Sequence, residues 1–110
     1  MTRPWRLTKQ SEASLIEIAL WTIETFGPRQ AAAYEDDLIA RCHEIASGTA
    51  MTQGCRQIID PELAEDLRYT RSGQHFIVFI EDPLQVIIVD FLHSRADLPA
   101  KLAALASRGN

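Results

Sequence analysis

The sequence predicts an α+β domain: an antiparallel pair of helices packed on a small, mainly antiparallel sheet, in the order βααβββ with a closing helix. Three observations carry this. Two long segments, 9–26 and 28–47, repeat apolar residues at helical spacing and meet at Phe26-Gly27-Pro28. Two continuous apolar runs, Phe76–Ile80 and Val86–Val89, are rich in the β-branched and aromatic residues that suit a pleated, buried surface. They are joined by Glu81-Asp82-Pro83-Leu84, which is turn chemistry, so they read as a hairpin.

Each element can be justified in order. Trp5-Arg6-Leu7-Thr8 alternates and reads as a short first strand. Thr8 or Ser11 can cap the helix 9–26, whose expected apolar stripe is Ile16, Leu20 and Ile23, with Glu12, Glu17 and Glu24 elsewhere around it. Gly27 can close that helix and Pro28 suits the first turn of the next. In 28–47, Tyr34, Leu38, Cys42 and Ile45 share a stripe, and the short connection makes the two helices an antiparallel hairpin. Residues 48–66 read as a surface loop in which Asp60-Pro61-Glu62 can open one helical turn. Leu67–Arg71 is a strand entering the sheet through the Ser72-Gly73 turn, and 99–107 a last helix with Leu98, Leu102 and Leu105 on one side.

The apolar runs of the hairpin barely alternate, so both faces of the sheet must be covered. The helix pair can cover one. The other needs the C-terminal helix folded back or a second polypeptide, because an open apolar face would exceed what monomers tolerate.

Composition narrows the function. A chain of 110 residues is expected to form one domain, 1–110, of ordinary globular composition. No run is long and apolar enough to span a membrane, and no leader pattern stands at Met1, so a reduced cytoplasmic protein is the default. Cys42 and Cys55 have no metal or redox spacing. The net charge is −4. Residues 1–67 carry 6 Lys+Arg against 11 Asp+Glu, and residues 68–110 carry 5 against 4. Arg68, Arg71, Arg95, Lys101 and Arg108 make too thin a patch for a sequence-independent nucleic-acid binder.

The chemistry-bearing candidates are few. His93-Ser94-Arg95-Ala96-Asp97 follows the last strand, where His93 can move a proton near neutral pH and Arg95 can clamp an anion. The plainer reading, a surface ion pair of Arg95 with Asp97 and a histidine closing the sheet, is favoured by pattern alone. His43 and His75 stand alone and read as structural. There is no phosphate-binding glycine loop and no ligand spacing for a metal, so no cofactor is expected. Glu35-Asp36-Asp37 reads as a solvated helix face, with a basic partner as the sharper alternative.

The strand ending in Leu7-Thr8, then Glu12 and Leu15-Ile16-Glu17-Ile18, the break at Phe26-Gly27 and a second helix with Tyr34 resemble the opening of RelE/ParE-superfamily toxins. Leu67-Arg68, Gly73-Gln74-His75, Phe76–Phe79 and above all Val89–Pro99, with His93-Ser94-Arg95-Ala96-Asp97, are similar to the ParE branch. The likeness covers roughly residues 4–106 and implies the helix-pair-on-sheet fold derived above.

It also implies a non-enzymatic toxin of a type II toxin–antitoxin module that inhibits DNA gyrase, with toxicity carried by His93, Arg95 and Asp97. The implied partner is a ParD-like antitoxin in a hetero-oligomer, a heterotetramer or a larger assembly among its forms. Trp21, Tyr34, Leu38, Phe76, Val78 and Ile88 are the expected antitoxin contacts. The alternative within the superfamily is a ribosome-dependent messenger-RNA endonuclease using Arg68, His93 and Arg95. Phe79 stands where many relatives have Tyr, Ile80 where Arg is frequent, and Ala96 where a second Arg is often found. These departures, with the acidic balance, disfavour RNA cleavage, which needs cationic stabilisation of the phosphorane.

Overall fold

The computed structural model describes residues 2–59, 61–63 and 66–107. Its elements are β1 (Trp5–Leu7), α1 (Lys9–Phe26), α2 (Pro28–Ser47), β2 (Gln53–Gly54), α3 (Cys55–Ile58), β3 (Leu67–Ser72), β4 (His75–Glu81), β5 (Val86–His93) and α4 (Leu98–Ser107). The strands form one sheet in the order β1-β5-β4-β3-β2, antiparallel throughout except that β1 runs parallel to β5.

Local chemistry places the elements. The Thr8 hydroxyl accepts from the Ser11 amide at 3.1 Å and donates to the Val89 carbonyl at 3.0 Å, so the cap of α1 is also a tie to β5. Gly27, at φ 95°, lets its amide donate back to the Ile23 carbonyl while the chain turns straight into Pro28. One residue between two long helices folds them back on each other. In the β4–β5 loop, the Asp82 carboxylate accepts from the amides of Leu84 at 2.7 Å and Gln85 at 2.8 Å, the turn role expected of it.

Arg3 fastens the far end of the helix pair. Its guanidinium donates to the carbonyls of Ile45 at 3.1 Å and Ala46 at 3.3 Å, to the Asp82 carbonyl at 3.1 Å, and pairs with Glu81 at 2.8 Å. The last carbonyls of a helix lack partners within it, and a cation there also opposes the negative end of the dipole.

Two apolar layers sandwich the sheet. Leu38, Cys42 and Ile45 of α2 pack on Ile77, Phe79, Val86, Ile88 and Phe91, with Leu15 and Ile18 of α1 at the margin. On the opposite face lie Cys55, Leu63, Leu67, Val78, Leu92 and Leu102. Burial pushes the Cys42 thiol up to about 12 and the Cys55 thiol to about 11, so both behave as small apolar side chains.

The packing decides one open alternative and corrects three sequence expectations. The second sheet face needs no other polypeptide, because Leu102 of α4 is fully buried there, aided by Ile59 and Leu98. Ile16, Leu20 and Ile23 are not the buried stripe of α1. They are exposed, and the side turned inward is Ser11, Leu15, Ile18 and Thr22. Residues 48–66 hold β2 and α3 rather than a bare loop, Pro61 and Glu62 lie in a turn, and Asp60 lies outside the described residues. Leu38, Val78 and Ile88, expected at a partner interface, are fully buried core residues with no surface to offer.

Candidate functional site

The exposed apolar surface of this chain is concentrated on α1. Ile16 is 60% exposed, Leu20 57%, Trp21 55% and Phe26 58%, with Ile23 beside them. At 100° per residue, Leu20 points away from the sheet with Ile16 and Ile23 beside it, Glu12 lies on one flank, and Glu17 and Glu24 lie on the other, between this stripe and Trp21. Scattered apolar side chains on a surface need no explanation, but five large ones on a single helix make it the candidate interaction surface. The signal was present in the sequence as a second apolar stripe on one helix. Phe26, read only as punctuation, was missed as part of it.

Trp21 and Phe26 meet edge to face with ring centroids 5.9 Å apart at the lip of a mostly apolar cavity of about 250 Å³. Thr22, Gln30, Tyr34, Gln74, His75 and His93 form the rest of its wall. His75 and His93 face each other across β4 and β5, their rings 5.2 Å apart and nearly perpendicular. The Tyr34 hydroxyl lies 2.6 Å from Nδ1 of His75 and accepts from the Gln74 amide at 3.0 Å. Burial first, then the facing His93, lowers the His75 pKa to about 4, so this ring is neutral at physiological pH.

Tyr34 sits against Gly73, whose φ of 61° carries the β3–β4 turn. A Cβ at Gly73 would lie 2.6 Å from Tyr34 Cε1, so nothing larger than hydrogen fits without moving the ring. Gly73→Ala is therefore expected to cost about 2 kcal/mol, combining a left-handed backbone with the clash. Urea unfolding checks this, and a loss below about 0.5 kcal/mol would show the turn to be tolerant.

The structure separates the remaining candidates. The His93 ring is exposed and its Nδ1 accepts from the Arg95 amide at 3.0 Å. Arg95 is exposed, and among the described residues it makes no ion pair. Asp97 caps α4, its carboxylate accepting from the Ala100 amide at 3.4 Å, rather than pairing with Arg95. Arg68 is committed elsewhere: it donates to the Thr52 hydroxyl at 3.1 Å and pairs with Glu81 at 3.4 Å. It lies opposite Phe79, whereas His93 lies opposite His75, four residues or roughly 13 Å along β4. Arg71 stacks over Phe76, which lies on the α4 side of the sheet. His43 accepts from the Trp5 indole at 3.2 Å and is structural. Among the described residues, no group of three or more His, Cys, Asp or Glu is placed to hold a metal ion, and no helix is long and apolar enough to cross a membrane.

A helical hairpin laid on a five-stranded sheet, with an exposed apolar helix face and an arginine arm beyond the last strand, defines a toxin of the RelE/ParE type. The family model for the ParE toxin of type II toxin–antitoxin systems, parDE, matches residues 5–98, and the chain belongs to that family. It is 31% identical over 100 residues to Toxin ParE1 of Caulobacter vibrioides, covering 91% of this chain and 98% of that protein. A solved structure of the chromosomal ParDE system from P. aeruginosa shares the fold, with a TM-score of 0.64 at 12% identity over 84% of this chain and 96% of that one.

Proposed function

We propose that this ParE-type toxin arrests growth by binding DNA gyrase in the cytoplasm, without catalysis of its own, and that a ParD-like antitoxin neutralises it by direct contact. The family match across strand, helix pair and sheet carries this reading. The geometry supports it over RNA cleavage. A ribonuclease must gather a base, an acid and a cation around one phosphate. Here Arg68 is tied to Thr52 and Glu81, far along the sheet from His93.

His93, Arg95 and Asp97 fall into separate roles in this proposal. Arg95, exposed and without an ion pair among the described residues, is the target contact. His93 orders the backbone before it, and Asp97 starts the helix that follows. Trp21, which is exposed, and Tyr34, which is half-buried, are the antitoxin contacts of this proposal, while Phe76 is half-buried on the other face.

Arg95→Ala, expressed without antitoxin, is expected to lower killing at least tenfold while leaving the unfolding free energy within about 0.5 kcal/mol of wild type. Undiminished arrest excludes the arm as the target contact. Induction of the wild type should relax plasmid supercoiling or trigger DNA damage with transcripts intact. Cut transcripts with normal supercoiling overturn the gyrase reading.

A further inference from the structure

We infer that the cavity under Trp21 and Phe26, with the groove that adjoins it along α1, is a binding site for a small molecule: a fused two-ring aromatic carrying a short-chain primary amine. The inference goes beyond the toxin reading and does not rest on it.

The ring half of the site is built from aromatic side chains. Trp21, Phe26, Tyr34, His75 and His93 wall the cavity of about 250 Å³. They hold one another in place: Trp21 meets Phe26 with centroids 5.9 Å apart, Tyr34 meets His75 at 5.6 Å, and His75 meets His93 at 5.2 Å. The Tyr34 hydroxyl is held further by His75 Nδ1, by the Gln74 amide and by the Ser72 carbonyl at 3.3 Å. A pocket whose walls are already ordered loses little of a ligand's binding energy to arranging them. Volume then sets the size of the ring. A cavity of about 150 Å³ takes a benzene, so a single ring leaves this space part empty and two fused rings fill it.

The amine half comes from the mouth. A groove of about 390 Å³ shares Trp21, His75 and His93 with the cavity and adds Ser14, Glu17, Ile18 and Phe91. Glu17 stands one helical turn before Trp21, and Glu24 three residues after it on the same side of α1. Both are exposed, and among the described residues neither is in an ion pair. Lys101 shares the next groove with Glu17, but Asp90 lies there too, so the balance of charge stays negative. An ammonium on a short tail is favoured here by the indole face of Trp21 and by the two carboxylates. His75, kept neutral by burial, sets no charge against it. A carboxylate on the same tail is repelled. An aromatic side chain of another protein would fill the ring half but bring an amide where the site favours a cation, so the occupant is a free molecule.

The test titrates tryptamine into isotope-labelled full-length protein and follows the resonances of Trp21, His75 and His93. N-acetyltryptamine and indolepropionate are the matched neutral and anionic probes. Tryptamine should saturate the shifts of all three residues with a dissociation constant below about 1 mM. It should bind about fivefold tighter than N-acetyltryptamine and at least about tenfold tighter than indolepropionate, with both gaps shrinking as salt is raised. Trp21→Ala, at an exposed position, should weaken tryptamine about tenfold. Glu17→Gln combined with Glu24→Gln should bring tryptamine down to the level of N-acetyltryptamine and leave the latter unchanged. Absence of saturation at about 5 mM tryptamine overturns the site, as do shifts that saturate elsewhere on the protein. Equal or tighter binding of N-acetyltryptamine overturns its chemistry, because the pocket would then suit a side chain of another protein. Tighter binding of indolepropionate overturns it as well.

Discussion

Replacing Leu102 with Ala is expected to lower stability by about 3 kcal/mol, and Leu102→Asp to abolish cooperative unfolding. Leu102 is fully buried against Cys55, Leu63, Leu67, Val78 and Leu92. With Leu98 beside it, it brings α4 onto the second layer of the core. Truncating it leaves both the lost transfer energy and a cavity that the sheet cannot close, because strands β4 and β5 are held by the layer on the other side. A carboxylate at that point has no partner and must either desolvate or undock the helix. Urea unfolding at neutral pH checks both variants. A loss below about 1 kcal/mol for Leu102→Ala would mean that α4 is not a structural lid. The result also bears on how the arm is tested in cells. Cutting the chain after His93 removes Arg95 and α4 together, so lost toxicity there reports unfolding as well as a lost target contact. Arg95→Ala separates the two.

How much of this was legible depends on which physical signal each element leaves in sequence. The helix pair was readable to its ends, because Thr8, Gly27-Pro28 and Gly48 are stop and start chemistry that acts locally. Stripe phase was readable in α2, where Leu38, Cys42 and Ile45 are apolar against a charged remainder. It was not readable in α1. That helix is apolar on two sides, so the 3.6-residue period is satisfied by Leu15 and Ile18 facing the sheet and equally by Ile16, Leu20 and Ile23 facing away. The misassignment and the candidate site are the same fact: an exposed apolar stripe has the same period as a buried one. The sheet gave the converse lesson. Its unbroken apolar runs correctly demanded cover on both faces, yet nothing in them says whose chain supplies it. The bulge between Val78 and Phe79, which lets Asp90 turn to the Ser14 hydroxyl at 2.5 Å, left no local mark either. Arg3 was unreadable for a related reason, since its partners lie 42 to 79 residues away.

Acid should destabilise this protein through His75, and His75→Gln should remove that sensitivity. The ring is 8% exposed, and its pKa is lowered to about 4 from an unfolded value near 6.5. The cause is burial, reinforced by the facing His93. Tyr34 closes the site from α2, and the exposed Glu17 carboxylate of α1 lines the adjoining groove, where water screens it. Between the two pKa values the unfolded chain holds a proton that the folded chain does not. Unfolding therefore takes up a proton, and stability falls as pH drops from about 6.5 toward 4. The contribution lost between pH 7 and 4 is about 2 to 3 kcal/mol. Glutamine keeps a polar atom for the Tyr34 hydroxyl and cannot titrate. Carboxylates begin to protonate over the lower end of the same range, so the wild type alone is ambiguous. The discriminating quantity is the stability difference between wild type and His75→Gln, measured by urea unfolding at several pH values. It should move in favour of the variant by about 2 to 3 kcal/mol on acidification, whereas a difference that stays flat would mean that the His75 site admits the charged ring.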